Sequence, residues 1–518
     1  MASDSITPDE PPASSGARFD SKLRRQSKQS ISWTILRFAS DQVFSFVVFV
    51  LMARLLSRAD IGAFALISIF ALVFRTISMA GLVETVARER ELSPAFMDTV
   101  YRSHMGFSLI TCTFIVAVAD PFAAFMNAPQ IAAPLQVLSL TLPISSLGET
   151  HLALRLREFG HKTTALRSVV SGIGGGGAAI AAALMGFGLW ALVIQRILTV
   201  VISVVLSRQA YRWKPGWNWQ WSILKRNLSI NGSLTAMQLV YLAMSRMQEL
   251  VIGNVIGIVA VGIYRTAWRT VDIISIGAIR PFSSVALQTL SRVKEDPVEL
   301  AHAYQWVISK ASALSFPALV GFGILAPEAV PVVFGAKWAQ AGDLAQIFAF
   351  MAVPFTLNQF ATPSLGALGA ARILLFIALA QLALTAILTF SLVRFGLFAV
   401  ACGFVARAYI ILPVQIYMLK RVSGIGFRQT WNAIWRPFAA SAIMGVILYL
   451  LRHSTVGLAA STAIPFHLGP WIALLLKVAI GALVYGLMLI SLSPFWRAQA
   501  LKVCRKVLPN RVLPGAGA

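Results

Sequence analysis

The stretch GIVAVGIYRTAWRTVDIISIGAIRP, residues 257–281, is apolar enough to cross a bilayer yet carries Arg265, Arg269, Asp272 and Arg280. At 100° per residue, Arg269 and Asp272 fall within roughly 40° of Arg265, and Arg280 within roughly 60°, so the four share one helical face. An Arg or Asp at the centre of a membrane helix costs about 2.5 to 3.5 kcal/mol on insertion scales, so such a face looks into a bundle interior or a water-filled cavity rather than lipid. Asp272 is one carboxylate against three guanidinia, and the positive remainder requires partners on other spans, water or a ligand. A cationic cavity inside a membrane implies an anionic passenger. The alternative is a cluster in which Asp272 neutralises Arg265 or Arg269 and only joins helices.

The rest of the chain matches that setting. Hydrophobic residues make up 57% and charged residues only 12% of the 518 residues, far from the roughly 25% charged of a soluble domain. Apolar stretches of about 20 residues recur from residue 30 to 494, which predicts helical rather than barrel spans. Fourteen are expected, at 31–54, 61–83, 103–124, 131–153, 165–186, 188–207, 228–245, 257–284, 305–333, 343–364, 373–393, 398–419, 434–452 and 470–493. With an even number, both termini share a side, and placing them in the cytoplasm puts most of the 44 Lys and Arg there, as the positive-inside rule requires. A multi-pass membrane protein with both termini in the cytoplasm is therefore expected. Cys112, Cys402 and Cys504 are scattered and form neither a disulfide framework nor a metal spacing.

The domain reading follows from the spans. Residues 1–29 read as a disordered basic cytoplasmic tail without a signal peptide, 30–208 as an N-lobe of six spans, and 209–227 as a cytoplasmic linker. A C-lobe of six spans follows at 228–420, then a helix pair at 421–494 and a basic tail at 495–518. In the linker, Trp213, Trp217, Trp219 and Trp221 stand beside Arg212, Lys214, Lys225 and Arg226, which reads as an elbow in the headgroup layer, with sugar stacking as the alternative. An internal repeat supports two parallel lobes: LLSRADIGAF (55–64) aligns with VIGIVAVGIY (255–264) at an offset of 200, pairing Gly62 with Gly262. Charges do not repeat, since Met237 and Tyr241 stand where Arg37 and Asp41 would. The run from Ser171 to Ala178 holds Gly172 and Gly174 to Gly177, which predicts close helix packing in the absence of any P-loop lysine. Pro143, Pro317, Pro354 and Pro413 inside spans predict kinks.

Further charge is expected in the membrane at Arg37 and Asp41, Arg75, Arg196, Lys310, Arg407 and Lys477. Arg37 and Asp41 are i,i+4 partners, Arg75 has no carboxylate on its own helix, and Lys310 and Lys477 are long enough to snorkel. Scarce membrane carboxylates make Asp41, Asp272 and Glu149 the candidates for ion coupling, with Glu84 and Glu249 at the margin. His104 and His151, each at a span end, read as interfacial. No nucleophile triad, metal-ligand set or pair of general acids is spaced for chemistry, so no enzyme activity and no cofactor are expected.

LMARLLSRADIGAFAL (51–66) and GLVETVARERELS (81–93) resemble the amino-terminal signature of bacterial polysaccharide and oligosaccharide-lipid flippases of the multidrug/oligosaccharidyl-lipid/polysaccharide exporter superfamily. In the second half GIYRTAWR (262–269), IRPFSSVALQTLSRVKED (279–296) and APEAVPVVFGAKW (326–338) resemble that family in the same order. The resemblance implies an all-α polytopic fold with two six-helix lobes around a central cationic cavity and a last helix pair. It implies translocation of undecaprenyl-pyrophosphate-linked oligosaccharide by alternating access, for exopolysaccharide, capsule or lipopolysaccharide synthesis. The related lipid II flippase draws cavity arginines from its first, second and eighth spans, which here hold Arg37, Arg75 and Arg265 with Arg269. Those four and Arg280 are the expected pyrophosphate ligands, guanidinium forks being better matched to phosphate oxygens than ammonium groups. Implied partners are the lipid-linked oligosaccharide, membrane lipids and polymerase and export machinery, with no nucleic acid. A multidrug exporter of the same superfamily and a membrane polymerase or ligase acting on lipid-linked glycans are the competing readings.

Overall fold

The computed structural model describes residues 42–454 and 469–498, less 80, 82–84, 87, 88, 90, 91, 159, 294 and 295. Both tails, Arg37, Asp41 and the connection at 455–468 lie outside the described residues, as does the side chain of Arg280. All regular structure among the described residues is helical. The helices are α1 (Gln42–Leu55), α2 (Arg58–Met79), α3 (Pro94–Phe125), α4 (Ala132–Ser139), α5 (Thr141–Arg157), α6 (His161–Leu184), α7 (Leu189–Ala210) and α8 (Trp221–Val255). After them come α9 (Ile258–Arg292), α10 (Pro297–Phe334), α11 (Ala339–Ala349), α12 (Ala352–Ala367), α13 (Ala371–Leu392), α14 (Leu397–Ser423), α15 (Phe427–His453) and α16 (Gly469–Leu492).

Each expected span falls on helix where it is described, but apolarity alone does not reach fourteen. Among the described residues, ten spans are long and apolar enough to cross a membrane, or eleven if α11 and α12, bent at their junction, form one. The polar and charged helices α8 and α9 are not among the ten. Pro143 and Pro354 do not kink helix interiors: each stands at the third position of a new helix, α5 or α12, just after a break. A proline in the first turn loses no intrahelical bond, so these mark starts rather than hinges. Pro317 and Pro413 do lie inside helices, as do Pro327 and Pro331 of α10.

The chain divides into two compact units. In the first, made of the described residues within 42–52, 70–120 and 132–236, α6 packs along α7, and α5 packs on α7 as well. The glycine run permits this. A Cβ on Gly172 or Gly176 would press on Phe44, and one on Gly175 would overlap Thr199, so α6 meets α1 and α7 through backbone. An apolar cluster of Val86, Phe96, Val100, Ala153, Leu154 and Leu224 closes one end of the unit.

The linker is tied to that same end. Asp98 accepts from the Gly216 amide at 2.7 Å, the Thr99 hydroxyl accepts from the Gln220 amide at 3.1 Å, and Arg102 donates to the Gly216 carbonyl. Trp213 packs against Tyr101 and His151 instead of reaching outward. Trp217, Trp219 and Trp221 are exposed, and Arg102 stands over the Trp217 ring. The elbow therefore combines one docked indole with three that present their rings outward.

The second unit comprises the described residues within 53–69, 121–131, 237–454 and 469–498. Here α10 is the central post, contacted by α9, α11 and α15, with α16 against α10 and α15. Asp296 caps α10 by accepting from the amides of Val298 and Glu299, and Pro297 fills its first position. The last two helices are held by charge as well as by apolar packing of Met444, Leu448, Tyr485 and Leu489. Lys477 Nζ donates to Glu328 Oε2 at 2.7 Å, and Arg452 approaches the other oxygen at 3.6 Å. Lys477 is buried and does not snorkel, because Glu328 lies within its reach on α10.

The repeat seen in the sequence reappears as a contact. Ser57 and Asp60 close a capping box at the start of α2, with the Ser57 amide and hydroxyl donating to Asp60 Oδ2 at 3.1 and 2.6 Å. At the matching position before α9 stands Gly257, whose φ of +112° excludes most side chains. The first turns of α2 and α9 then cross at Gly62 and Gly262. A Cβ on Gly62 would overlap the Ile258 carbonyl and lie 2.8 Å from the Gly262 nitrogen, while one on Gly262 would overlap the Arg58 carbonyl. Arg58 and Ile258 are themselves offset by 200, so the crossing is two-fold symmetric about the two glycines.

Helix-end capping repeats this symmetry. Arg54 donates to the Val333 and Val332 carbonyls at 2.8 and 2.6 Å, at the end of α10. Asn254, 200 residues later, donates to the Phe125 carbonyl at the end of α3. In return, Lys337 Nζ donates to the Arg54 and Leu56 carbonyls at 2.9 and 2.6 Å, and Trp338 Nε1 to Ala53 at 2.9 Å. Cations at helix C-termini complement both the orphan carbonyls and the macrodipole. Burial lowers the Lys337 ammonium from its ordinary pKa, and Asp60 partly opposes this.

Gly62→Ala and Gly262→Ala each force this crossing open. Each is expected to destabilise the purified protein by about 1–3 kcal/mol, as overpacking does. The double change should cost less than the two together, because both methyls enter one gap. Thermal unfolding of the three variants beside the wild type checks this, and additive losses would show that the two glycines do not share a contact.

Candidate functional site

The opening stretch supplies three of its charges to one described cluster. Arg265 projects from α9 toward α8, where its Nη1 donates to Glu249 Oε1 at 2.9 Å. Arg246, one turn before Glu249, donates to the same oxygen at 3.0 Å. Glu249 is 1% exposed, and its second oxygen has no hydrogen-bond partner. Arg269 and Asp272, at i and i+3 on α9, stand 3.6 Å apart. Three guanidinia thus meet two carboxylates, and a surplus of one positive charge remains on these five residues.

This differs in one respect from the reading of α9 alone. Asp272 is not the only acid available to the arginines: Glu249 engages Arg265, and Arg246 joins the cluster. The signal lay in the hairpin. Glu249 and Arg265 stand eight residues before and after Gly257, the turn between α8 and α9, so two helices leaving that turn bring them opposite one another. A face drawn on one helix does not contain this pairing.

In the first unit Arg75 of α2 meets Glu149 of α5, Nη2 to Oε1, at 2.9 Å. Arg75 is about one-third exposed and Glu149 largely buried. Thus the arginine without an acid on its own helix finds one on another, and Glu149, a candidate for ion coupling, is ion-paired. The structure brings Arg265, Arg269 and Asp272 together in the second unit and Arg75 with Glu149 in the first.

Other expectations are corrected. His104 and His151 are each 1% exposed and packed inside the first unit. His151 Nε2 lies 3.1 Å from the Trp213 carbonyl, so the docked linker satisfies it. Lys310 stands over the rings of Phe495 and Trp496, at 3.2 and 4.1 Å from their centroids, a cation–π seat in place of a headgroup. Arg407 of α14 is buried at 8% exposure, with its carbon 4.4 Å from the Phe404 ring centroid.

Comparison with known proteins places these features. The sequence model of the family described as polysaccharide biosynthesis protein matches residues 51–343, more than half of the chain. The chain is 22% identical over 500 residues to the succinoglycan biosynthesis transport protein ExoT of Rhizobium meliloti, covering 94% of this chain and 97% of that one. It is 21% identical to the lipopolysaccharide biosynthesis protein WzxC of Escherichia coli, covering 83% and 88%. Among solved structures, the lipid II flippase MurJ in an inward closed conformation superposes with a TM-score of 0.71 at 15% identity, over 91% of this chain and all of that one. An inward-facing multidrug transporter of the same superfamily superposes at 0.59 and 16% identity, over 76% and 98%. The helical fold of this chain is the one seen in both of those structures. The chain, with its glycine-crossed repeat and paired membrane arginines, belongs to the polysaccharide biosynthesis protein family.

Proposed function

We propose that this protein carries a lipid-linked oligosaccharide across a bacterial inner membrane, with Arg265 and Arg269 gripping the pyrophosphate that joins lipid to sugar. The observation that carries the proposal is the guanidinium surplus at Arg246, Arg265 and Arg269 over Glu249 and Asp272 on membrane helices. A multivalent oxyanion matches such a surplus, and arginine offers it bidentate donors. Family membership, relatives named for polysaccharide transport, and a flippase fold support the reading. Arg75 adds a second anchor in the first unit, while Arg37 and Arg280 extend the basic set. An exporter of organic cations, the function of some relatives by fold, would be poorly served by excess positive charge.

Flipping is mechanical: the sugar and pyrophosphate cross through a polar path while the lipid tail stays in hydrocarbon. Both termini and the linker face the cytoplasm in this reading, so the α2–α9 crossing and its caps lie outside. Alternating access then requires that outer contact to open. Glu149 and Asp272 are each ion-paired to a proposed ligand arginine, and with Asp41 they are the candidates for coupling to an ion gradient. Protonating either would release its arginine toward the substrate. The lipid is an undecaprenyl pyrophosphate, and a polymerase and export machinery would receive the flipped unit.

Arg269→Ala should reduce flipping of a pyrophosphate-linked lipid oligosaccharide in proteoliposomes at least tenfold, while membrane abundance stays near wild type. Arg269→Lys should recover only part, since an ammonium lacks the fork. Wild-type flipping by a stably inserted Arg265→Ala/Arg269→Ala protein would end the clamp proposal.

Glu249→Ala should behave in the opposite manner. It leaves Arg246 and Arg265 without their shared acceptor and should cost about 3–5 kcal/mol, as loss of one member of a buried ion pair does. Arg265→Ala should cost less, because Arg246 still satisfies Glu249. Thermal stability and membrane abundance of the two variants distinguish a structural carboxylate from a transport residue.

Arg58 Nη1 donates to Gln340 at 3.4 Å beside the glycine crossing. Because the two side chains meet only at their tips, cysteines at 58 and 340, in a chain whose three native cysteines are replaced, should be bridged by a bifunctional methanethiosulfonate in a cross-link that stops flipping and is reversed by reductant. Full transport by the cross-linked protein would show that this contact need not open.

A further inference from the structure

The second unit contains a cavity of about 180 Å³ that the flipping reading does not use. Trp268 of α9, Asn358 of α12, Gln381 of α13 and Phe404, Arg407 and Gln415 of α14 line it. None of its lining residues is acidic.

Arg407 is 8% exposed, and a guanidinium stays charged in any protein environment. Its Nη1 donates to Thr385 Oγ1 at 3.1 Å. Its Nε–H has no acceptor, and no carboxylate pairs with it among the described residues. The Phe404 ring below it returns part of the lost hydration, as a cation–π contact does, but supplies no negative charge. The neighbouring amides are neutral and supply no counter-charge. Asn358 Oδ1 already accepts from Gln415 Nε2 at 2.7 Å and Thr362 Oγ1 at 3.2 Å, which turns its own amide nitrogen to the other side. The nearby Tyr264 hydroxyl is engaged by Gln248. A buried cation with no paired carboxylate among the described residues, beside a cavity with room for more than one water, lacks one counter-charge.

We propose that this cavity binds a monovalent inorganic anion of the halide type, held by Arg407 and the free amide donors. One unpaired charge sets the valence. Walls of Trp268, Phe404, Met351 and Pro354 favour a weakly hydrated, polarisable ion over sulfate or phosphate. The inference stands apart from the flipping reading, and its test requires no transport.

Trp268 makes the site observable. In the purified full-length protein with gluconate as the only anion, iodide should quench tryptophan fluorescence with a saturable component above the linear collisional one. Chloride should compete for it. Trp268→Phe should remove the saturable component, while chloride should still raise the thermal midpoint, as a ligand of the folded state does. Arg407→Gln should lose both the saturable quench and the chloride-dependent shift, and Arg407→Lys should retain them at several-fold higher halide. A purely linear quench, a saturable quench that survives Trp268→Phe, or equal midpoints in chloride and gluconate would each overturn the proposal. These wild-type and Trp268→Phe readouts decide it even where Arg407→Gln does not fold.

Discussion

A guanidinium placed among membrane helices must find its counter-charge within the protein, because hydrocarbon supplies none and arginine cannot discharge itself. Much of this structure follows from that constraint. Arg265 and Arg246 share Glu249, Arg269 meets Asp272, and Arg75 meets Glu149. Lys477 and Arg452 share Glu328, which ties the last two helices to α10. In each of the two shared sites a single acid serves two cations, so the helices are joined while the local charge stays positive. That residual charge is what makes a pairing network useful for binding an anion as well as for holding a fold.

The α2–α9 crossing obeys a different constraint, steric rather than electrostatic. Two helices approach to backbone contact only where both lack a side chain, and Gly62 and Gly262 meet that condition at equivalent places in the repeat. The surrounding caps, Arg54 on α10 and Asn254 on α3, then satisfy carbonyls that would otherwise be orphaned at helix ends. Because these partners are polar and near helix ends, they can be exchanged for water at modest cost, unlike an apolar core contact. Such a contact suits a surface that closes and opens. Between them the two constraints separate the tasks: ion pairs between helices hold position and charge, and glycines with caps hold the α2–α9 crossing.

Much of this was legible in the sequence. Hydropathy located helix along every expected span that is described, because a span must satisfy its backbone internally, although 131–153 and 343–364 are each divided between two helices. The glycine run of α6 read correctly as a packing surface, and the offset of 200 named the two glycines that touch. Where the linear reading failed, the missing information was a second helix. Periodicity on α9 showed which charges share a face but not that Glu249 of α8 faces them. Lys477 looked long enough to snorkel, and only the position of α10 shows that Glu328 takes its ammonium. Pro143 and Pro354 looked like internal kinks because hydropathy does not register a break followed by a helix start.

Composition, span periodicity and the repeat therefore determined by themselves the helical membrane class, the order of the helices and the basic character of α9, since each depends on local burial or on residues close in the chain. Tertiary structure alone decided which acid serves which arginine, that Trp213 packs inward while Trp217 is exposed, and that Arg407 reaches a cavity without an acid. These depend on distances between helices far apart in sequence, and an ion pair or a cavity is a property of such distances, not of any one helix.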